Sequence, residues 1–218
     1  MRPCSILTTT NETYVPIVIN LLDSFSKFHP EIHIFVSCVN VSEKSIQRLK
    51  STNKNTSFLV ENLKLDPLAE KNYCAHNRTL WLPKLMEEHK RDFFWLDADI
   101  MLKDNIGEFF EWVQDIDFCI RSKKNTPETF TCNCGMVWIK YSDKNLKIVN
   151  EWKDEADKLG LLTYWYADQE SLNNVMHKHI NILNDIKYET FPKKFNGIQT
   201  NEESIIIHFK GTKKLRST

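Results

Sequence analysis

An α/β fold, with a mixed, mostly parallel sheet flanked by helices, follows from three features of this 218-residue sequence. Short β-branched and apolar runs alternate with segments whose apolar residues recur at helical spacing. No linker, internal repeat or low-complexity tract interrupts that alternation. The most deeply apolar run, Phe93 to Leu96, drives straight into two aspartates, Asp97 and Asp99, and the chain then turns apolar again. Open α/β sheets bind ligands beyond the carboxyl ends of their strands. That run therefore predicts a central strand and, at its end, a site.

The elements follow in order. Ser5 to Thr9 is a short strand. Val15, Val18, Leu21, Leu22 and Phe25 mark one apolar helix face. Ile32 to Val39 is β-branched and apolar, a second strand. Lys44 to Lys50 forms a short polar helix, and Phe58 to Val60 a third strand. Leu82, Leu85, Met86 and His89 share a face of a helix over Leu80 to His89, with Pro83 placed in its first turn, where a missing N–H is harmless. Phe118 to Ile120 and Met136 to Ile139 read as two further strands. Leu146, Val149, Trp152, Ala156 and Leu159 mark an amphipathic helix that Gly160 ends. Asp168 to His179 is another helix, and Ile205 to His208 a late strand.

Composition limits the function classes. The chain is long enough for one domain with a sizeable core, spanning residues 1–218. Lys plus Arg and Asp plus Glu both number 29, so nucleic acid and anionic membrane are not general partners. No apolar run reaches membrane-spanning length, and the first residues lack the basic-then-apolar layout of a signal peptide. The expectation is a soluble, cytoplasmic protein without a transmembrane segment. The five glycines form no phosphate-cradling loop, which disfavours P-loop and Gly-x-Gly-x-x-Gly folds. Of the six cysteines, Cys132 and Cys134 lack a second pair at zinc-ligand spacing.

Carboxylates driven to the end of a buried strand need a compensating charge. Asp97 and Asp99 can hold a hard divalent cation such as Mg2+ or Mn2+, and that cation can neutralise a diphosphate leaving group. The plainer alternative is a strand end whose aspartates cap the following turn. Other motifs stand in order around this pair: Thr8-Thr9-Thr10-Asn11-Glu12-Thr13-Tyr14, Asn77-Arg78-Thr79-Leu80-Trp81-Leu82-Pro83, Cys132-Asn133-Cys134-Gly135-Met136-Val137, Ala167-Asp168-Gln169-Glu170-Ser171-Leu172-Asn173 and His208-Phe209-Lys210-Gly211-Thr212-Lys213-Lys214.

From Thr8 to Lys214 this series resembles GT-A-type glycosyltransferases, most closely glycosyltransferase family 8, the glycogenin and bacterial galactosyltransferase group. The resemblance implies a single GT-A, Rossmann-like nucleotide-diphospho-sugar transferase domain that uses Mn2+ or Mg2+. It implies that Thr8, Thr10, Asn11 and Tyr14 contact uracil, and that Arg78 bridges the nucleotide phosphate or sugar and the acidic cluster. It implies Asp97, Asp99 and His208 as metal ligands, with Asp97 and Ala98 also beside the nucleotide. Asn133 and Gly135 would meet the donor sugar. Asp168 and Gln169 would stand beside the reacting carbon. Gly211 and Lys214 would meet the diphosphate. The sequence departs from the family's pattern where Cys132 and Cys134 replace Phe and Ser. It departs again where Leu215-Arg216 replaces Pro-Trp, so that Lys213 is an alternative to Lys214. Phe191-Pro192-Lys193-Lys194-Phe195-Asn196 also has a family counterpart, in which Asn196 fixes a loop.

The implied activity moves a hexose, glucose or galactose, from a UDP-sugar to a hydroxyl acceptor with retention of configuration. A glycan, a lipid-linked sugar or a protein hydroxyl fits as acceptor. Lys123 to Thr131 is a candidate acceptor loop, and Tyr164 and Trp165 are candidate stacking surfaces beside Asp168. The alternatives are a catalytically degenerate UDP-sugar-binding protein and a metal-dependent phosphohydrolase, which would need a second acidic cluster.

Overall fold

The computed structural model describes residues 4–126, 129–198 and 203–209. In chain order the elements are β1 Cys4–Asn11, α1 Val15–Phe28, β2 His33–Val39, α2 Glu43–Thr52, β3 Thr56–Glu61, α3 Pro67–His89, β4 Asp92–Leu96, β5 Ile100–Leu102, α4 Gly107–Trp112, β6 Phe118–Thr126, β7 Thr129–Ile139, α5 Asp143–Leu159, α6 Ala167–His177, β8 Tyr188–Thr190, β9 Gly197–Ile198 and β10 Ile206–His208. Every strand and helix expected from the periodicity is present. The short elements β5, α4, β8 and β9 have no sequence pattern long enough to announce them.

Seven strands form the main sheet in the order β3-β2-β1-β4-β7-β6-β8. All neighbours run parallel except β7, which is antiparallel to both β4 and β6. The sheet is thus mixed and mostly parallel, as expected. A second sheet of three strands, β5-β10-β9, lies beyond the end of β4. Asp97, Ala98 and Asp99 are the turn that joins the two sheets, because β4 ends at Leu96 and β5 begins at Ile100.

Alternation along the strands builds two core layers. Phe94 and Leu96 of β4 pack with Leu21, Leu22 and Phe25 of α1 and with Phe109 and Phe110 of α4. Phe93 and Trp95 pack on the opposite side with Leu82, Leu85 and Met86 of α3, Trp152 of α5 and Leu172 of α6. In the first layer the rings of Phe94, Phe109 and Phe191 stack in a triangle, with centroids 5.0 to 5.7 Å apart. The Phe191 to Phe195 segment is therefore structural, as expected, and Phe195 adds an edge contact to Phe109. Among the described residues the Asn196 carboxamide oxygen is buried without a hydrogen-bond partner.

Two expectations are corrected. Pro83 is not in a first turn, because α3 begins about four turns earlier, at Pro67, where Asp66 accepts hydrogen bonds from the Leu68 and Ala69 N–H groups. Pro83 is an interior proline. The missed half of the helix buries Asn72, His76, Asn77, Arg78 and Thr79, so no apolar stripe marks it. Nor is Lys123 to Thr131 a free loop. Lys123 pairs with Thr131, Lys124 with Phe130 and Thr126 with Thr129, extending β6 and β7 into a hairpin arm. The run Thr129-Phe130-Thr131 suits a pleated strand. Gly160, as expected, ends α5 in the left-handed region at φ +90°.

Phe109→Ala opens a cavity in the stacked triangle and should cost ~3–5 kcal/mol in urea unfolding, with an unchanged m-value.

Candidate active site

The turn after β4 holds its shape through β7. The Asp97 backbone N–H donates to the Gly135 carbonyl at 2.9 Å, and the Ile100 N–H donates to the Asp97 carbonyl at 3.1 Å. From the other sheet, the Phe209 N–H donates to the Asp99 carbonyl at 2.9 Å. These bonds bring His208, at the end of β10, against both aspartates. Its Nε2 lies 3.0 Å from Asp99 Oδ1 and 3.6 Å from Asp97 Oδ2. One ligand atom from each of Asp97, Asp99 and His208 falls within 4.8 Å of the other two. Two carboxylate oxygens and one imidazole nitrogen form a donor set that suits Mn2+ or Mg2+. The residues present therefore fit a divalent cation.

Glycine at 135 is required by this packing. A Cβ there would lie 2.5 Å from His208 Cε1 and 2.9 Å from Asp97 Oδ2. Burial and the nearby Arg121 guanidinium push the His208 imidazole down. The hydrogen bond to Asp99 and the charges of Asp97 and Asp99 outweigh them and hold it above its ordinary value.

The other oxygen of Asp97 belongs to a buried guanidinium. Asp97 Oδ1 accepts from Arg78 Nη2 and from Trp95 Nε1, each at 3.1 Å. Arg78 also donates through Nη1 to the Cys134 carbonyl and through Nε to the Ala75 carbonyl. Its Nε lies 3.3 Å from Asp168 Oδ2, and its plane lies over the Trp95 ring at 4.5 Å. Burial alone would lower the Arg78 pKa, but Asp97 and Asp168 hold it up. Asp168, at the start of α6, is almost fully buried, and burial raises its carboxyl against the pull of Arg78 and His76. Its backbone carbonyl accepts from Trp152 Nε1 and Ser171 Oγ. Asn173 docks α6 on β7 by accepting from the Cys132 N–H at 2.5 Å.

A cleft beside this network is lined by Thr9, Thr10, Asn11, Tyr14, Lys71, Cys74, Ala75, Arg78, Trp95, Asp97, Ala98, Asp99 and Trp165. Thr10, Asn11, Tyr14, Arg78, Asp97, Ala98 and Asp99 are thus brought together as expected. Thr8 is not among them. It is fully buried within β1 with an unpartnered hydroxyl, whereas Thr9 and Thr10, nearer the end of the strand, line the cleft. The Asn11 side chain is committed at both ends: Nδ2 donates to Glu70 and Oδ1 accepts from the Tyr14 N–H. Asn133 Oδ1 accepts from the Gly135 N–H, shaping the turn of β7 that approaches Asp97. Gln169 is half-buried beside Asp168. Gly211 and Lys214, with its alternative Lys213, lie outside the described residues.

Several contributors carry no motif. His76, fully buried on α3, places Nε2 3.4 Å from Asp168 Oδ1. Its Nδ1 contacts the Leu161 carbonyl at 2.5 Å and its Nε2 the Trp165 carbonyl at 3.0 Å. Asn72 donates to the Leu162 carbonyl at 2.8 Å. These side chains hold the α5–α6 connection, which exposes Leu162, Tyr164, Trp165 and Tyr166. Lys71 sets its ammonium over the Trp165 ring at 4.5 Å. Glu61, at the end of β3, accepts from Tyr73, Asn77 and Trp81 of α3 and locks that helix to the sheet.

The model of the nucleotide-diphospho-sugar transferase family matches residues 82–217. No curated protein matches the sequence. Solved structures share the fold at low identity. A bifunctional glycosyltransferase, WbbM, superposes with a TM-score of 0.68 at 12% identity, over 97% of this chain and 46% of that one. The galactosyltransferase LgtC, solved in complex with donor and acceptor sugar analogs, gives 0.63 at 12% identity, over 95% of this chain and 87% of that one. The glycosyltransferase GlyE of Streptococcus pneumoniae TIGR4 gives 0.64 at 12% identity, over 94% and 54%. This chain therefore spans about half the length of WbbM and GlyE. In all three the similarity is one of fold.

Gly135→Ala should displace the His208 ring, lower the melting temperature, and weaken Mn2+ binding by the folded protein at least tenfold, read by the electron paramagnetic resonance of free Mn2+. In metal-free protein the raised His208 pKa stabilises the fold fully below the ordinary imidazole value of about 6.5. That contribution is lost as pH rises through the folded value. The melting temperature should fall over this window, and His208→Asn should flatten the fall.

Proposed function

The chain belongs to the nucleotide-diphospho-sugar transferase family, and from that premise we propose that this glycosyltransferase moves a hexose from UDP-glucose or UDP-galactose to a hydroxyl acceptor, using Mn2+ or Mg2+. The observation that carries the reading is the convergence of Asp97, Asp99 and His208 at one end of a cleft that Tyr14, Arg78 and Trp165 also line.

Asp97 and Asp99 with His208 would hold the cation, which when bound supplies positive charge for the diphosphate. The protein's own part is orientation and charge. Arg78 anchors Asp97 so that Oδ2 is the oxygen left facing His208. Tyr14 and Trp165 offer aromatic faces in the cleft for a base or sugar ring. Departure of a nucleotide builds negative charge that a preorganised, partly dehydrated site stabilises. Asp168 is held by Arg78 and His76 at the start of α6, and Gln169, next to it, would stand beside the donor sugar. Lys214, or Lys213, would complete the diphosphate contacts. Retention of configuration is part of the proposal, with Gln169 and Asp168 flanking the reacting carbon.

On the acceptor side, the exposed run Tyr164-Trp165-Tyr166 favours a carbohydrate acceptor, free, lipid-linked or protein-borne, because aromatic faces stack on sugar rings. Among the described residues one cluster of potential metal ligands is present, which gives no support to a two-metal phosphohydrolase.

Calorimetric titration with UDP should show binding in MnCl2 that disappears in EDTA and falls at least tenfold in Asp99→Asn. UDP-glucose or UDP-galactose should then be hydrolysed slowly to UDP, and the released or transferred sugar should keep its anomeric configuration. Equal UDP binding with and without the cation would remove the reading, and an inverted product would remove retention.

A further inference from the structure

One charged group near the site has no ion-pair partner among the described residues. Arg121, on β6, is half-buried, and its Nη1 is buried without a hydrogen-bond partner. Among the described residues it forms no ion pair. The guanidinium is close enough to His208 to push that imidazole down. A guanidinium partly removed from water and left without an anion is unfavourable, and its planar fork matches a carboxylate or phosphate.

The backbone places Arg121 there through a local irregularity. Ile120 pairs with Val137, but Arg121 pairs with Asn133 rather than Met136, so Cys134 to Met136 have no partner on β6. Bulges of this kind redirect side chains next to active sites. The sheet order then fixes the direction. The cleft lies at the ends of β1 and β4, while β7 and then β6 follow. With strands about 4.8 Å apart, Arg121 stands two strands from Asp97, beyond Asn133 and away from the nucleotide end.

We propose that Arg121 receives an acidic group, a carboxylate or phosphate, carried by the sugar end of the substrate pair: either by the transferred sugar or by the acceptor. This rests on the transferase reading: with the neutral donors named there the acidic group belongs to the acceptor, and an acidic donor sugar would replace those donors. A neutral hexose donor and a neutral acceptor together would leave Arg121 without an ion-pair partner among the described residues. Either an acidic donor sugar or an acidic acceptor supplies that partner.

Two titration arms separate the sources. In the donor arm, Mn2+-loaded protein is titrated with UDP-glucuronate and with UDP-glucose. In the acceptor arm, protein saturated with Mn2+ and UDP is titrated with glucuronate, glucose 6-phosphate and glucose. The expected result is at least a tenfold preference for the acidic member in one arm, which names the source. That preference should be lost in Arg121→Gln and partly kept in Arg121→Lys, with unchanged melting temperatures. No preference in either arm, or a preference that survives Arg121→Gln, overturns the proposal. So does a loss of UDP binding in Arg121→Gln with UMP binding intact, which would assign the guanidinium to the diphosphate. Failure of the transferase reading is read separately, from the wild-type UDP titration.

Discussion

The buried guanidinium of Arg78 is the constraint on which the site depends. It ties α3, β4, β7 and α6 together through Ala75, Asp97, Cys134 and Asp168. A buried charge is tolerated only when paired and hydrogen-bonded, and removing one partner of such a pair typically costs ~3–5 kcal/mol. Arg78 meets that requirement with two carboxylates, two carbonyls and the face of Trp95. By occupying Asp97 Oδ1 it also fixes which oxygen faces His208. Folding and ligand geometry are here one electrostatic problem.

The second constraint is the seam between sheets. Asp97 and Asp99 sit on the turn that leaves the large sheet, whereas His208 ends a strand of the small one. The bond from the Phe209 N–H to the Asp99 carbonyl brings the two sides together. Gly135 supplies the remaining room, since the His208 ring occupies the space a side chain would need.

How far the sequence discloses this arrangement depends on the kind of signal. The parallel sheet was legible because Phe93 to Leu96 and Ile32 to Val39 are dense apolar runs. Asp97, Asp99, Gly135 and His208 were legible because short motifs carry them in order. The first half of α3 was not, since its inward face is Asn72, His76, Asn77 and Arg78 rather than a hydrophobic stripe, and Pro83 punctuates the chain in the wrong place. His76 and Glu61 act only through partners far away in sequence. Thr8 shows the limit of a motif on a strand: it stands deeper in β1 than Thr9, Thr10 and Asn11, and only those nearer the strand's end reach the cleft. Arg121 follows from a register jump, which no local pattern reveals.

That jump between β6 and β7 also partitions the molecule for evolution. Pairing on the inner side, from Phe118 to Ile120, belongs to the core, and pairing on the outer side, from Arg121 to Thr126, belongs to the projecting arm. Between them, Cys134 to Met136 serve β4 and the aspartate turn instead of β6. The arm can therefore grow or shrink by pairs of residues without shifting the parity of the strand that holds the site. An insertion of one residue beyond the Lys123–Thr131 pair would change the facing of the outer pairs while leaving Arg121, Asn133 and Gly135 in place. Selection has in this hairpin a module in which length and facing vary separately from the catalytic floor.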